Sequence, residues 1–294
     1  MKMEFDRNFE PLFGTAVALS PLVRRITCNN PGPFTFTGTN TFIVGHQSVA
    51  IIDPGPDDDG HLAALLNAVR GETVSHILLT HTHMDHSPLA AKLAAATGAK
   101  TYSAISPAKS RVIPEVQMDA SVDHGFAPDV SLGDGDVVEG KGWALEAVFT
   151  PGHMANHMSF GLTAEKALLA GDHVMAWATT VVAPPDGNMN DYMGSLRKLL
   201  KRDEAIYYPA HGPEKRKPLS LVRAILAHRK MREEAIFKRV KAGDQTIGEI
   251  VENIYADVDP RLHGAAGLST LAHLEHLIEK GRIQVQEGRY IWRK

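Results

Sequence analysis

A single cysteine, Cys28, in 294 residues excludes an internal disulfide and argues against thiolate-held metals or clusters. No apolar run approaches the roughly 20 residues that a membrane span requires. Met1 to Pro11 carries Glu4, Asp6 and Glu10 where an export or transit segment would be basic and apolar, so the expectation is a cytoplasmic protein with no membrane partner. There is no G-x-S-x-G elbow and no nucleophile signature around Cys28, which removes the usual triad hydrolases. Internal repeats and low-complexity stretches are also missing. What the chain does have is fifteen histidines, and they cluster. Any metal must therefore be held by nitrogen and oxygen.

Short β-rich runs alternate with helical ones. Thr41 to Val44 and Val49 to Ile52 flank Gly45-His46-Gln47-Ser48 as a hairpin that ends at Asp53-Pro54-Gly55. A helix follows around His61 to Val69, and Ile77 to Thr80 is a buried-type strand. That strand runs into His81-Thr82-His83-Met84-Asp85-His86-Ser87-Pro88, where Ser87 and Pro88 suit the start of a helix that Gly98 stops. Strands are expected at Ala144 to Thr150, Met158 to Leu162, Ala167 to Ala170 and Ile206 to Pro209, with a helix from about Tyr192 to Lys201. This order argues for an α/β sandwich. Beyond His211-Gly212-Pro213 the chain turns to a basic helix, Leu219 to Val240. Helices at Ile247 to Tyr255 and Ser269 to Lys280 and a hairpin over Ile283 to Trp292 then make a small winged-helix unit. The expected division is a catalytic domain over 1–218 and a basic linker helix with a winged-helix-like domain over 219–294.

In a strand that continues through His81-Thr82-His83, residues i and i+2 point the same way and two imidazoles converge on one ion. Asp85 and His86 fall at the turn into the helix, facing a second ion. Thr150-Pro151-Gly152-His153, Ala170-Gly171-Asp172-His173 and Pro209-Ala210-His211-Gly212 each place a further ligand at or just after a strand end. Zinc accepts this imidazole and carboxylate set without sulfur.

The run H-x-H-x-D-H, standing as His81, His83, Asp85 and His86, with His153, Asp172 and His211 following in order, resembles the metallo-β-lactamase superfamily over roughly residues 20 to 215. The resemblance implies an αββα sandwich with metals along the edge between two mixed sheets. It assigns His81, His83 and His153 to one ion and Asp85, His86 and His211 to a second, with Asp172 bridging both. Two Zn2+ ions are expected, with Mn2+ or Fe2+ as alternatives, activating a bridging hydroxide that Asp85 or Asp172 orients. Asp53 resembles a residue that braces the histidine loop without touching metal. His157 is a candidate for lining the substrate pocket, set against a strand-edge or bracing position. His173 reads as structural. His46, His61, His76, His124, His228, His263, His273 and His276 read as surface or packing residues.

Only 38 residues separate Asp172 from His211, which leaves no room for the large inserted domain of one RNA-processing subclass. The tail resembles that of lactamase-like endoribonucleases with a winged-helix extension, which implies cleavage of single-stranded RNA. Between Arg197 and Lys241, 14 Lys/Arg stand against 5 Asp/Glu, which suits a polyanion or a solvated helix face. Thioester hydrolysis of the glyoxalase II kind is the alternative for a small-molecule substrate. A winged-helix nucleic-acid-binding regulator is the alternative from another class, although Ser269 to Lys280 offers Glu275 and Glu279 with only Lys280 as a basic partner. The tail equally suits packing, dimerisation into a homodimer or a substrate rim.

Overall fold

The computed structural model describes residues 3–105, 122–256 and 263–293. Its first sheet runs β1 (Val17–Ala18), β2 (Val23–Thr27), β3 (Asn40–His46), β4 (Ser48–Ile52), β5 (Thr73–Leu78), β6 (Lys100–Ser103) and β7 (Val130–Ser131), neighbours in space as in sequence. The second is ordered β13-β12-β11-β10-β9-β8, built from β8 (Val137–Gly140), β9 (Trp143–Phe149), β10 (Met158–Leu162), β11 (Ala167–Gly171), β12 (Ile206–Pro209) and β13 (Lys215–Arg216). Both are mixed: β4, β5, β6 and β7 pair in parallel, as do β11 and β12, and the other pairs are antiparallel.

Alternation along the strands sends side chains to opposite faces and so builds two apolar layers per sheet. Phe42, Val44, Ile52 and Leu78 meet Leu145, Phe160, Leu169 and Tyr208 between the sheets. The opposite faces of the same strands, through Ile43, Ile51 and Ile77, bury Leu65 of α1 (Asp59–Ala68) and Leu89 and Leu93 of α2 (Leu89–Thr97). On the other side, Leu168 and Tyr207 pack under α3 (Met189–Leu199) and α4 (Leu219–Ala242). Fully burying each such side chain contributes about 1.5–3 kcal/mol before the entropy of ordering it. The result is the expected αββα sandwich.

The C-terminal unit comprises α5 (Ile247–Ile254), α6 (His263–Glu279) and the hairpin β14 (Ile283–Gln286) and β15 (Arg289–Trp292), and it is a winged helix. Thr246 starts α5 with a reciprocal capping box to Glu249. The 24 residues of α4 serve two cores: Leu221, Val222 and Ile225 pack on the sandwich, while Ile236 and Val240 pack with Ile250, Leu274 and Ile283. Among the described residues no helix is long and apolar enough to cross a membrane.

Several local expectations shift. The β3–β4 turn is tighter than a four-residue loop, with Gln47 at φ 61 between the strands. Ser87 does not cap α2, because its hydroxyl donates to the His83 carbonyl and to Asp123 instead, and the cap position falls to Pro88. Gly98 ends that helix in the left-handed conformation, as expected.

Candidate metal centre

At one edge of the sandwich the C-terminal ends of β4, β5, β9, β11 and β12 come together, each followed by a loop that carries a polar side chain. Backbone bonds lock the two sheets at this edge: Met158 N–H donates to the Thr80 carbonyl at 2.8 Å and Asn40 N–H to that of Ala210 at 2.7 Å, while within the second sheet Ala210 N–H donates to that of Gly171 at 3.1 Å. Loops held this way present side chains from a rigid base.

β5 stops at Leu78, three residues short of His81, so strand alternation does not align His81 with His83. The two converge because the loop turns, and they present different nitrogens: His81 Nε2 lies 3.0 Å from His83 Nδ1, and His153 Nε2 lies 3.1 Å from the same atom. Neighbours decide the tautomers. The Thr80 hydroxyl gives its proton to Asp53 Oδ2 and therefore accepts from His81 Nδ1, which leaves the His81 Nε2 lone pair bare. His153 Nδ1 faces the Val181 carbonyl at 2.7 Å, so its Nε2 is bare as well. Two lone pairs thus point at one spot beside His83.

A second group lies next to it. His86 Nδ1 is 3.1 Å from Asp53 Oδ2 and His211 Nδ1 is 3.1 Å from the Gly38 carbonyl. Both acceptors fix the proton on Nδ1 and turn Nε2 outward to Asp85 Oδ2, 3.2 Å from each. Asp172 stands between the groups: Oδ2 is 3.6 Å from His153 Nε2 and 3.9 Å from His86 Nε2, and Oδ1 is 3.3 Å from His211 Nε2. Ligand atoms of His81, His83 and His153, of His81, His86 and Asp172, and of Asp85, His86 and His211 form three sets, within each of which all atoms lie within 4.8 Å of one another.

A divalent cation suits both groups on two counts. His86 Nε2, His211 Nε2 and Asp172 Oδ1 are buried and accept or donate no hydrogen bond, a costly state unless something else occupies their lone pairs. The donors are all nitrogen and oxygen, the set that zinc, manganese and iron accept. Without a cation, protons must do the same work. Burial pulls His86 and His211 down, but the carboxylates of Asp85, Asp53 and Asp172 outweigh it, raising His86 well above the imidazole range and His211 to about 10. Burial would raise Asp85 and Asp172, yet those imidazoles hold both well below the carboxylate range. In the other group, burial and neighbouring imidazoles push His81 well down and His83 to about 3. His81 and His83 are thus neutral and the aspartate group charged.

The structure corrects one residue. His157 does not line a pocket, because its ring is fully buried and both nitrogens are committed. Nδ1 meets the Thr150 hydroxyl at 2.9 Å, and Nε2 accepts the Asp172 N–H at 3.1 Å, so it positions the backbone of Asp172. Gly171 makes room for it. At φ +53, a Cβ there would sit 2.5 Å from His157 Nε2 and 2.9 Å from Thr80 Cβ. Asp53 sits where a brace is required, accepting Thr80 N–H, the Thr80 hydroxyl and His86 Nδ1, and it holds a strained φ of 50 to do so. Sequence reasoning missed Thr80, Thr150 and Thr180, whose hydroxyls tie these groups together. The one available signal was that Thr80 directly precedes the histidine run.

Opposed titrations imply a bell-shaped dependence of stability on pH for the metal-free chain. Burial lowers His61 to about 4, His173 to about 3 and His228 to about 4. Each is neutral when folded and protonated when unfolded below the unfolded value of roughly 6.5, so its contribution is lost as pH falls toward 4 and 3, at up to ~1.4 kcal/mol per pH unit per group. The raised His86 and His211 act oppositely in the metal-free chain, stabilising it below pH ~6.5 and losing that effect as pH rises toward 10. Thermal melts of metal-free protein are expected to show lower midpoints at both pH 4.5 and pH 9.5 than near pH 6.5. Saturating zinc should flatten the alkaline limb, since a cation replaces the protons; an alkaline limb unaffected by metal would contradict the assignment.

Comparison with known proteins places this arrangement. The family model described as Metallo-beta-lactamase superfamily matches residues 34–211, and that described as Beta-lactamase associated winged helix domain matches residues 246–292. A Beta-lactamase-like protein 2 homolog from Caenorhabditis elegans is 33% identical over 244 residues, covering 81% of this chain and 78% of that protein. An atrochrysone carboxyl ACP thioesterase from Aspergillus fumigatus is 36% identical over 200 residues, covering 66% of this chain and 57% of that protein, so the match spans little more than half of the thioesterase. A crystal structure of a beta-lactamase domain protein from Burkholderia ambifaria superposes with a TM-score of 0.80 at 20% identity, covering 98% of this chain and 97% of that one. At such identity the likeness concerns the fold.

Proposed function

The chain belongs to the metallo-β-lactamase superfamily, and from that premise we propose that it is a two-metal hydrolase, zinc-dependent in the first instance, whose substrate is an acyl thioester. The observation that carries the metal reading is the pair of side-chain triads sharing Asp172 as their common neighbour. When bound, a pair of divalent cations supplies Lewis-acid activation of water and of the electrophilic oxygen. The chain's own residues hold and orient. His157 and Thr180 fix the backbone of Asp172, since the Thr180 hydroxyl donates to the Asp172 carbonyl at 2.6 Å. Asp85 is the more open carboxylate, with 24% of its side chain exposed, and is placed to orient, by accepting its hydrogen bond, the water whose oxygen adds to the acyl carbon. The C–S bond then breaks, and the departing thiolate takes up a proton.

Two observations favour an acyl over a phosphodiester substrate. Four of the fourteen basic residues that suggested a polyanion are engaged within the chain. Lys198 pairs with Asp134, Arg202 with Glu146 and Glu204, and Arg239 with Asp244, while Arg229 is buried. Apolar groups flank the centre instead: Phe36 and Trp177 stack with centroids 4.8 Å apart against Gly212, next to His211, and Met84 between His83 and Asp85 is 42% exposed. A thioesterase name among the relatives agrees with this chemistry. The regulator reading is weakened by α6, whose Leu271, Ala272, His273, Leu274, His276 and Leu277 are buried against the body and leave little face for a groove.

Metal analysis of purified protein, paired with side-by-side assays on an acyl N-acetylcysteamine thioester, S-lactoylglutathione and single-stranded RNA, tests the proposal. The expected result is about two metal equivalents per chain and thioester turnover that a chelator abolishes and zinc restores. RNA cleavage without thioester turnover would return the phosphodiester reading to first place.

A further inference from the structure

We propose that Arg229, on the linker helix α4 and outside the stretch that matches the catalytic family, is a positioning residue for the metal centre and makes that centre dependent on the C-terminal unit; this rests on the metal reading above. Arg229 is 4% exposed, an unusual place for a guanidinium, and no carboxylate lies within ion-pair distance among the described residues. Its contacts explain the placement. Nη2 donates to the Thr180 carbonyl in a short bond, Nη1 donates to Ser269 Oγ of α6 at 3.4 Å, and the guanidinium lies 5.4 Å from the centroid of Tyr192.

The contact with α6 anchors the guanidinium, and the other two lead to the segment that follows Asp172. The Thr180 hydroxyl donates to the carbonyls of Asp172 at 2.6 Å and His173 at 3.1 Å, and the Tyr192 hydroxyl donates to His173 O at 3.0 Å. The next residue, Val181, supplies the carbonyl that faces His153 Nδ1 at 2.7 Å. A single side chain thus pins residues 180–181 from behind. Those residues in turn hold the backbone of Asp172 at its carbonyl and fix the orientation and tautomer of His153. A buried cation costs several kcal/mol of desolvation unless its hydrogen bonds are well made. An apolar residue of similar length would pack this gap at less cost, so the guanidinium is better explained by what it holds. Because Arg229 is anchored on α4 and touches α6, the catalytic loop is braced by the C-terminal unit and not by the sandwich alone.

The experiment compares the full-length wild type with Arg229→Met, Arg229→Lys, Thr180→Val and the Arg229→Met/Thr180→Val double variant. Zinc affinity is read by chelator competition, and stability by melting of each metal-free form. Arg229→Met is expected to weaken the tighter-held zinc 10- to 100-fold, the range for residues that orient ligands, while the metal-free midpoint stays within a few degrees of wild type. Arg229→Lys restores affinity partly, since an ammonium can still donate to the Thr180 carbonyl. Thr180→Val shows a similar loss, and the double variant is no worse than either single one, because both interrupt one chain of contacts. A folded Arg229→Met with wild-type zinc affinity overturns the inference, as do fully additive losses in the double variant. If Arg229→Met does not fold, wild-type affinity in Thr180→Val overturns it alone. A wild-type chain that binds no zinc would instead sink the metal reading itself.

Discussion

Asp172→Ala is expected to cut turnover by at least ~1000-fold, equivalent to about 4 kcal/mol of transition-state stabilisation, and to reduce metal content from about two equivalents toward one. Asp172 is the carboxylate that faces ligands of both groups, at 3.6 Å from His153, 3.9 Å from His86 and 3.3 Å from His211. Its loss leaves His81, His83 and His153 able to hold one ion, and strips the second group to Asp85, His86 and His211. The backbone at 172 keeps its bonds to His157 and Thr180, so the fold should survive. In the metal-free variant the His211 imidazole loses a partner that holds it up to about 10, and its titration, followed by NMR, should move toward the ordinary histidine range. Full activity with two metals retained would show that the bridging assignment is mistaken.

Asp53→Ala is expected to have the largest effect on stability while removing no ligand. The carboxylate is 1% exposed and accepts from Thr80 N–H, the Thr80 hydroxyl and His86 Nδ1 at 2.7, 2.7 and 3.1 Å. Alanine would leave the Thr80 N–H and His86 Nδ1–H buried without an acceptor and turn the Thr80 hydroxyl to His81 Nδ1, 2.9 Å away, at a combined cost of roughly 2–5 kcal/mol, a large part of a typical ~5–15 kcal/mol of folding free energy. The metal centre should weaken too, by about 10- to 100-fold in affinity, because the freed Thr80 hydroxyl no longer forces the His81 tautomer and His86 loses its orienting partner. Melting of the metal-free form and chelator competition separate the two effects. A variant with wild-type affinity and a midpoint unchanged within a degree would reduce Asp53 to a turn residue.

These two aspartates also mark how legible the site was. The candidate ligands from His81 to His86, with His153, Asp172 and His211, and Asp53 beside them, could be named from residue type, order and the resemblance they carry, and the structure brings them together. How His81 and His83 converge was not. The expectation relied on strand alternation, whereas the strand stops at Leu78 and a turn brings opposite ring nitrogens together. His157 was open between a pocket wall and a bracing position, because the sequence shows proximity to His153 but not which way a ring faces, and its bonds to Thr150 and the Asp172 N–H put it in the second. Strand β2 escaped notice because Arg24 and Arg25 break the apolar pattern. Yet Arg25 is only 6% exposed, its guanidinium 4.4 Å from the Phe9 ring and bonded to the Glu10 carbonyl. The basic stretch left a polyanion site and a solvated helix face both open, since charge counts along a chain do not reveal which cations are paired, as Lys198, Arg202 and Arg239 are, or buried, as Arg229 is.

Sequence alone determined the chemistry available, nitrogen and oxygen ligands at strand ends on an α/β sandwich with a winged-helix tail, because ligand type and strand periodicity are local properties written residue by residue. Tertiary structure decided which nitrogen each imidazole offers, how closely Asp172 approaches His86, His153 and His211, and that a buried arginine from the linker helix meets the Thr180 carbonyl behind it. Those features depend on hydrogen bonds between residues as far apart as Gly38 and His211 or Thr180 and Arg229, and only the folded packing brings such partners within reach.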